Sequence, residues 1–152
     1  MPATIRRDTR MPLPFEYQNA SRQFDQFMID ARDCAGLPTT NMAWNMVIGV
    51  LHTFRRRLSV KDALVFADAL PPVLRALFVQ DWDTEQVMAS FDSPHAMLDE
   101  VRSVRRAHNF SPDNAIPAVA AALRKNVDLQ AFERALKKLS PGAQQYWTLP
   151  PS

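Results

Sequence analysis

The sequence contains 152 residues, of which 47% are hydrophobic and 22% charged, which is long and apolar enough for one folded domain and excludes a chain that is disordered throughout. The formal net charge is only +2 and arises within the first ten residues, so charge alone gives no evidence for nucleic-acid binding. The single cysteine excludes an internal disulfide and favours a cytoplasmic location, and no apolar stretch is long enough for a membrane helix.

The first 20 residues are predicted to be a flexible or extended lead-in. They combine prolines with clustered charges and show no helical or strand period. Helical periodicity begins at Ser21, and residues 21–152 are predicted to form a single domain.

Two long helices are predicted next. Apolar residues recur at three- and four-residue steps from Ser21 until Gly36, a glycine that can end a helix by adopting positive φ. Residues 39–41 offer an N-cap for the second helix, "MAWNMVIGVLHTFRRRL". Because this helix is apolar on two sides, it is predicted to lie at the centre of the fold.

A third and a fourth helix follow. Ser59 is predicted to cap the third helix by accepting a hydrogen bond from an amide near Asp62. Pro71 and Pro72 end this helix, and they can open a short fourth helix because proline is tolerated in a first turn. The predicted buried stripe of the third helix is Val60, Ala63, Leu64, Ala67 and Leu70.

Three Ser-Pro pairs mark helix starts in the second half of the chain, after an acidic linker at residues 83–92. They are Ser93-Pro94, Ser111-Pro112 and Ser140-Pro141. A serine N-cap followed by proline at the first helical position is a common start of a helix. The alternative interpretation is that the pairs are sites of proline-directed phosphorylation.

The chain also matches itself. Phe24 aligns with Met97 at an offset of 73 residues, and Phe78 aligns with Trp147 at an offset of 69. These alignments predict an all-α, compact domain of about seven to eight helices, built from two tandem pseudo-repeats of about four helices. The first repeat spans residues 21–82, and the second, shorter repeat spans residues 93–147.

Several stretches resemble a known family. They are "FEYQNASRQFDQFMIDARDCAGL", "TFRRRLSVKDALVFADALPPVLRALFVQDWD" and "VRRAHNFSPDNAI". Over residues 13–148 the chain resembles the bacterial family catalogued as domain of unknown function 2267. The resemblance implies a compact, all-helical, cytoplasmic bacterial protein, and it implies no reaction, cofactor or site residue.

Residue spacing gives no catalytic or metal site. The three glycines are isolated from one another, which excludes a phosphate-binding glycine loop. The histidines, His52, His95 and His108, lie far apart and lack a partner at metal-ligand spacing. We therefore predict a protein that is not an enzyme, with no catalytic residue, no metal and no cofactor.

Arginine clusters are the most distinctive polar feature. Arg55, Arg56 and Arg57 end the second helix, and Arg105 and Arg106 follow the fifth. These five are candidate contacts for an anion or for nucleic acid. The alternative is that they only complement the dipoles of helix C-termini.

Large apolar residues supply a candidate interaction surface, formed by Trp44, Ile48, Trp82 and Trp147. The function predicted first is a non-enzymatic interaction or regulatory module that binds an unknown protein partner or associates with itself. The alternative is a protein that binds nucleic acid or a phosphate ligand through the arginine clusters. No membrane association is predicted.

Overall fold

The structure, a computed structural model, describes residues 13–91 and 93–151, and all regular secondary structure in these ranges is helical. This confirms the predicted all-helical fold. Residues 1–12 of the predicted lead-in lie outside the described residues. Nine α-helices occur in the described chain: α1 (Phe15–Gln18), α2 (Ala20–Ala35), α3 (Thr40–Arg55), α4 (Val60–Asp68), α5 (Pro72–Val79), α6 (Pro94–Ser103), α7 (Ala115–Lys125), α8 (Leu129–Lys137) and α9 (Pro141–Tyr146), with a 3-10 turn at Arg106–His108.

Local capping side chains set the ends of the first helices. Thr39 Oγ1 accepts a hydrogen bond of 3.2 Å from the amide of Met42 and starts α3. Ser59 Oγ accepts one of 3.1 Å from the amide of Asp62 and starts α4. Gly36 ends α2 with a φ of 72°. The caps predicted at these positions are confirmed.

Two of the three Ser-Pro pairs start helices as predicted. Ser93 and Ser140 each accept a hydrogen bond of 3.2 Å from the amide three residues later. The cap predicted at Ser111 is wrong, although α7 starts close by at Ala115, with Asn114 as its N-cap residue. Ser111 is buried and its hydroxyl donates to Asn109 Oδ1, so it is part of the preceding loop instead.

The long helix α3 lies at the centre of the fold, in contact with α2, α5, α6 and α7. It approaches α6 so closely at Gly49 that a Cβ there would lie 2.5 Å from the carbonyl oxygen of Val101. Towards its C-terminal end, α3 meets α4, α8 and α9 in an aromatic cluster. In this cluster the Phe66 ring lies 4.7 Å from that of Phe54 and 5.4 Å from that of Trp147, between ring centres.

The predicted buried stripe of α4 is partly wrong. Val60 and Leu64 are 47% and 54% exposed, whereas Phe66 is fully buried. The buried face of this helix follows Ala63, Phe66 and Ala67, a spacing of three and four residues that leaves Leu64 beside this face, rotated by about 100° from Ala63.

One interaction occurs twice at the offset of 69 residues. Arg55 Nη1 donates to the carbonyl of Phe78 at 2.9 Å, and Arg124 Nη2 donates to the carbonyl of Trp147 at 3.1 Å. In each case an arginine near the C-terminal end of one helix donates to the backbone carbonyl of an aromatic residue at the C-terminal end of a later helix. This correspondence supports the two-repeat hypothesis, which stays a prediction.

Candidate interaction site

Arg55, at the C-terminal end of α3, is buried and holds the C-terminal end of α5. Its Nη1 donates to the carbonyl oxygens of Phe78 at 2.9 Å and Gln80 at 2.8 Å. Its guanidinium carbon lies 5.5 Å from the centre of the Trp82 ring, within the range of a cation–π contact. Burial lowers the pKa of Arg55 from its ordinary value.

His52 adds a second contact to the same helix end, one turn earlier on α3. Its Nε2 lies 2.8 Å from the carbonyl oxygen of Leu77. Burial lowers the pKa of His52, which favours a neutral ring that donates this hydrogen bond through Nε2. Arg55 therefore satisfies the carbonyls of Phe78 and Gln80 at the end of α5, and His52 adds a second donor to the Leu77 carbonyl, which also accepts from the Gln80 amide.

Arg56 and Arg57 both bind the carboxylate of Glu100 on α6. The Arg57 side chain is 3% exposed, and its Nη1 lies 2.9 Å from Glu100 Oε2. Its Nε donates to the carbonyl of Ser90 at 2.8 Å. Arg56 Nη1 lies 2.5 Å from Glu100 Oε1, and the Arg56 carbonyl accepts a hydrogen bond of 3.1 Å from the amide of Ala89. The pair thus ties residues 89–90 to α3 and α6.

The predicted anion or nucleic-acid contacts are therefore wrong for Arg55 and Arg57, which are each only 7% exposed. Both arginines donate to backbone carbonyls, and Arg57 also donates to Glu100. A guanidinium has five N–H groups, so it can bind several acceptors at the same time. Arg56 is partly exposed but engaged with Glu100. The first cluster stabilises the fold instead of facing a ligand.

Residues 81–90, which we name the acidic loop, present an unusual set of side chains to solvent. Asp83 and Glu85 are exposed, and neither forms an ion pair with another described residue. Val87 is 83% exposed and Met88 59%. Asp83 Oδ1 accepts a hydrogen bond of 3.0 Å from the amide of Glu85, which fixes the turn. One loop therefore presents two exposed apolar side chains together with two carboxylates that have no ion pair among the described residues.

Residues 104–110, which we name the basic loop, connect α6 to the start of α7. Arg105, Arg106 and His108 are exposed, and Phe110 is 52% exposed. Across residues 13–91 and 93–151, neither arginine has an ion-pair partner. Arg105 has a φ of 47°, in the left-handed region that residues other than glycine seldom adopt. This second cluster remains a candidate contact surface.

Two asparagines hold the basic loop in place. Asn109 Nδ2 donates to the carbonyls of Val101 at 2.9 Å and Val104 at 2.8 Å. Asn45, which is 8% exposed in α3, donates through Nδ2 to the carbonyl of His108 at 3.0 Å. Neither residue was predicted from the sequence. The available signal was a polar Asn45 within an apolar helix, since buried amides need partners.

The predicted surface of Trp44, Ile48, Trp82 and Trp147 does not stay together in the structure. Trp147 is 0% exposed and belongs to the core, so its assignment to a surface is wrong. Trp82 is half-buried beside Arg55, and Ile48 is half-buried against the core. Trp44 is 39% exposed, and its ring centre lies 6.0 Å from that of Phe24.

An apolar cleft of about 660 Å³ lies between α6, α7, α9 and the C-terminal residues. Met97, Ile116 and Leu149 supply part of its lining, and His95 and Asp113 lie at its edge. Asp113 pairs with Arg102 at 2.8 Å. Among the described residues, no group of three or more His, Cys, Asp or Glu side chains is arranged to hold a metal ion.

Comparison with known proteins agrees with the resemblance in the sequence. A family described as "Uncharacterized conserved protein (DUF2267)" matches residues 24–146, which is most of the chain. The chain belongs to this family. The DUF2267 match runs from α2 to α9 and includes both the acidic loop and the basic loop. No curated protein matches the chain. Within the part of the chain that the structure describes, no helix is long and apolar enough to cross a membrane.

Proposed function

We propose that this DUF2267 protein is a non-enzymatic interaction module whose recognition surfaces are the acidic loop and the basic loop. One observation carries the proposal: buried polar side chains donate hydrogen bonds to backbone carbonyls of both loops. Arg57 does so through the carbonyl of Ser90, and Asn45 does so through the carbonyl of His108.

Arg57 and Asn45 are polar side chains that are buried in the interior. A buried guanidinium or amide is unfavourable unless its hydrogen bonds are satisfied, and an apolar side chain of similar volume often stabilises a helix packing equally well. Asn45 Nδ2 and Arg57 Nε each donate to a loop carbonyl, while the Nη groups of Arg57 bind Thr53 and Glu100. The presence of Asn45 within α3 and of Arg57 just after it therefore favours a role in positioning the loops, beyond packing helices together.

Backbone conformation at the loops supports the same interpretation. Asp81 and Arg105 have φ values of 55° and 47°, a conformation that costs an L-residue roughly 1–3 kcal/mol. Such residues concentrate at functional sites, where the surrounding structure holds them. One lies at the start of the acidic loop and the other lies in the basic loop.

Each loop combines charge with exposed apolar area, which is typical of surfaces that bind proteins. Val87 and Met88 supply this area in the acidic loop, and Phe110 supplies it in the basic loop. We place the module in the bacterial cytoplasm as part of the same proposal, supported by its single cysteine.

A second candidate function is binding to single-stranded nucleic acid through the basic loop. It is favoured by Arg105 and Arg106, which have no ion pair with another described residue, and by exposed Phe110 in the same loop, since arginines combined with an aromatic ring suit phosphates and stacked bases. Arg55 and Arg57 are buried, so few arginines of the two clusters remain to bind the phosphates of a nucleic acid. Binding of this kind weakens steeply with added salt.

The experiment is affinity capture of the intact chain from its native host after chemical crosslinking, with bound proteins and nucleic acids both identified. The wild type is compared with Val87→Ser/Met88→Ser in the acidic loop and with Arg105→Asn/Arg106→Gln in the basic loop. Asparagine is chosen at position 105 because it tolerates positive φ. Lys137→Ser/Lys138→Ser, on the exposed end of α8, is the matched control.

We expect a protein that the wild type and the control capture equally and that at least one loop variant loses. Capture that is identical for all four chains would contradict the proposal. Recovery of nucleic acid that only Arg105→Asn/Arg106→Gln abolishes would favour the second candidate.

A further inference from the structure

We infer that the partner of the acidic loop is the basic loop of a second copy of this chain. The inference rests on the proposed function, because it takes the two loops as the interaction surfaces and adds the identity of their partner.

The two loops are complementary in charge and in apolar content. The acidic loop presents Asp83 and Glu85 next to Val87. The basic loop presents Arg105 and Arg106, near the exposed ring of Phe110. Arginine guanidinium groups match carboxylates in geometry as well as in charge, so each loop offers what the other lacks.

The two loops are held at different points along α3. Asn45, near the N-terminal end of α3, binds the basic loop, whereas Arg55, at its C-terminal end, contacts the acidic loop through Trp82. Ten helical residues separate Asn45 from Arg55, which corresponds to about 15 Å along the helix axis. No ion pair joins the two loops among the described residues. The charges are therefore left for contacts between molecules.

Loops at opposite ends of one helix define a head-to-tail contact. The acidic loop of one copy meets the basic loop of the next, and a second contact either closes a pair or continues a chain of copies. Two or three exposed ion pairs with a small apolar area give a weak association that added salt disrupts. We therefore expect association that depends on both concentration and salt.

The test is analytical ultracentrifugation of the full chain at rising concentration, at low and at high ionic strength. Variant one carries Arg105→Glu and Arg106→Glu, so both of its loops are acidic. Variant two carries Asp83→Asn and Glu85→Lys, so its acidic loop loses its net negative charge, because the new lysine balances the remaining Asp81, and asparagine keeps the side-chain acceptor of the turn. The matched control is Lys137→Glu/Lys138→Glu, which makes the same charge change as variant one on exposed residues of α8 and its C-terminal end.

We expect the wild type and the control to gain mass with concentration at low salt and to dissociate at high salt. Each variant alone should associate with itself at least about tenfold more weakly than the wild type does. An equal mixture of the two variants should recover association, because the unaltered acidic loop of variant one meets the unaltered basic loop of variant two. This recovery separates loop pairing from a general effect of net charge.

A wild type that stays monomeric at low salt, or a mixture that fails to associate, overturns the inference. Circular dichroism that matches the wild type shows that each variant is folded. If the wild type is monomeric while captured proteins still depend on the loops, the proposed function stands with a different partner. If neither self-association nor the capture of other proteins depends on the loops, the proposed function fails as well.

Discussion

Glu100 Oε2 on α6 lies 2.9 Å from Nη1 of Arg57, whose side chain is almost completely buried at the end of α3. The same carboxylate binds Arg56, so one acid pairs with both a buried cation and a partly exposed one. Because Arg57 also donates to the carbonyl of Ser90, this ion pair links the crossing of two helices to the position of the acidic loop.

Replacing Glu100 should destabilise the protein strongly. Glu100→Ala leaves the buried charge of Arg57 without its partner, and we expect the free energy of unfolding to fall by about 3–4 kcal/mol. Urea denaturation measures this change. The matched control is Asp113→Ala, which removes the exposed partner of Arg102 and should leave stability nearly unchanged. Equal effects of the two substitutions would contradict the structural role of Glu100.

Arg55 should stabilise the fold and take no part in ligand binding. Arg55→Met leaves the carbonyls of Phe78 and Gln80 without their donor, so we expect a loss of about 2–3 kcal/mol in the free energy of unfolding. Chemical denaturation again provides the measurement. Arg105→Met, at an exposed arginine of the second cluster, serves as the comparison and should unfold like the wild type. A stable Arg55→Met would show that these hydrogen bonds contribute little.

Gly49 should not tolerate even a methyl group. An alanine Cβ would lie 2.5 Å from the carbonyl oxygen of Val101, so α3 and α6 would have to separate. We expect Gly49→Ala to lower the free energy of unfolding by about 1–3 kcal/mol. In a helix without such a contact the same change usually stabilises by up to about 1 kcal/mol. The sign of the shift in melting temperature therefore decides the prediction, and an increase would contradict it.

His52 should make stability depend on pH on the acid side. Burial lowers its pKa in the folded state below the unfolded value of 6.5, so the unfolded chain takes up a proton first as the pH falls. The stability that neutral His52 contributes to the folded state is fully present above about pH 6.5, and it is lost as the pH falls towards the lowered pKa of the folded protein. Denaturation at a series of pH values should show a steeper acid loss for the wild type than for His52→Gln.

The control for this titration is His95→Gln, because the His95 side chain is 84% exposed. Its pH profile should follow that of the wild type. If His52→Gln loses stability with acid just as steeply as the wild type, burial of His52 is not the cause of the pH dependence.

The local features of the fold could be predicted from the sequence. Caps such as Thr39 and Ser59 act on an amide three residues away, so a short window contains both partners. Ser111 shows the limit of this reasoning. Its hydroxyl is used by Asn109, and a preceding loop with its own hydrogen bonds overrides the capping preference of a Ser-Pro pair.

The roles of the arginines could not be predicted in this way. The acceptors of Arg55 lie 23 and 25 residues away, and that of Arg57 at Ser90 lies 33 residues away. Their geometry depends on how α5 and the acidic loop return to the end of α3. A run of arginines therefore looks the same in sequence whether it faces a ligand or satisfies the carbonyls of a returning chain.

The central claim is that the acidic loop and the basic loop are fixed surfaces, and backbone ¹⁵N relaxation tests it most directly. The amides of Val87, Met88, Arg105 and Arg106 are compared with those of α3 under dilute, high-salt conditions that keep the protein monomeric. We predict order parameters close to the value of about 0.85 that is typical of rigid backbone. Values below about 0.6 at both loops would show that the interior side chains do not hold them, and would contradict the account.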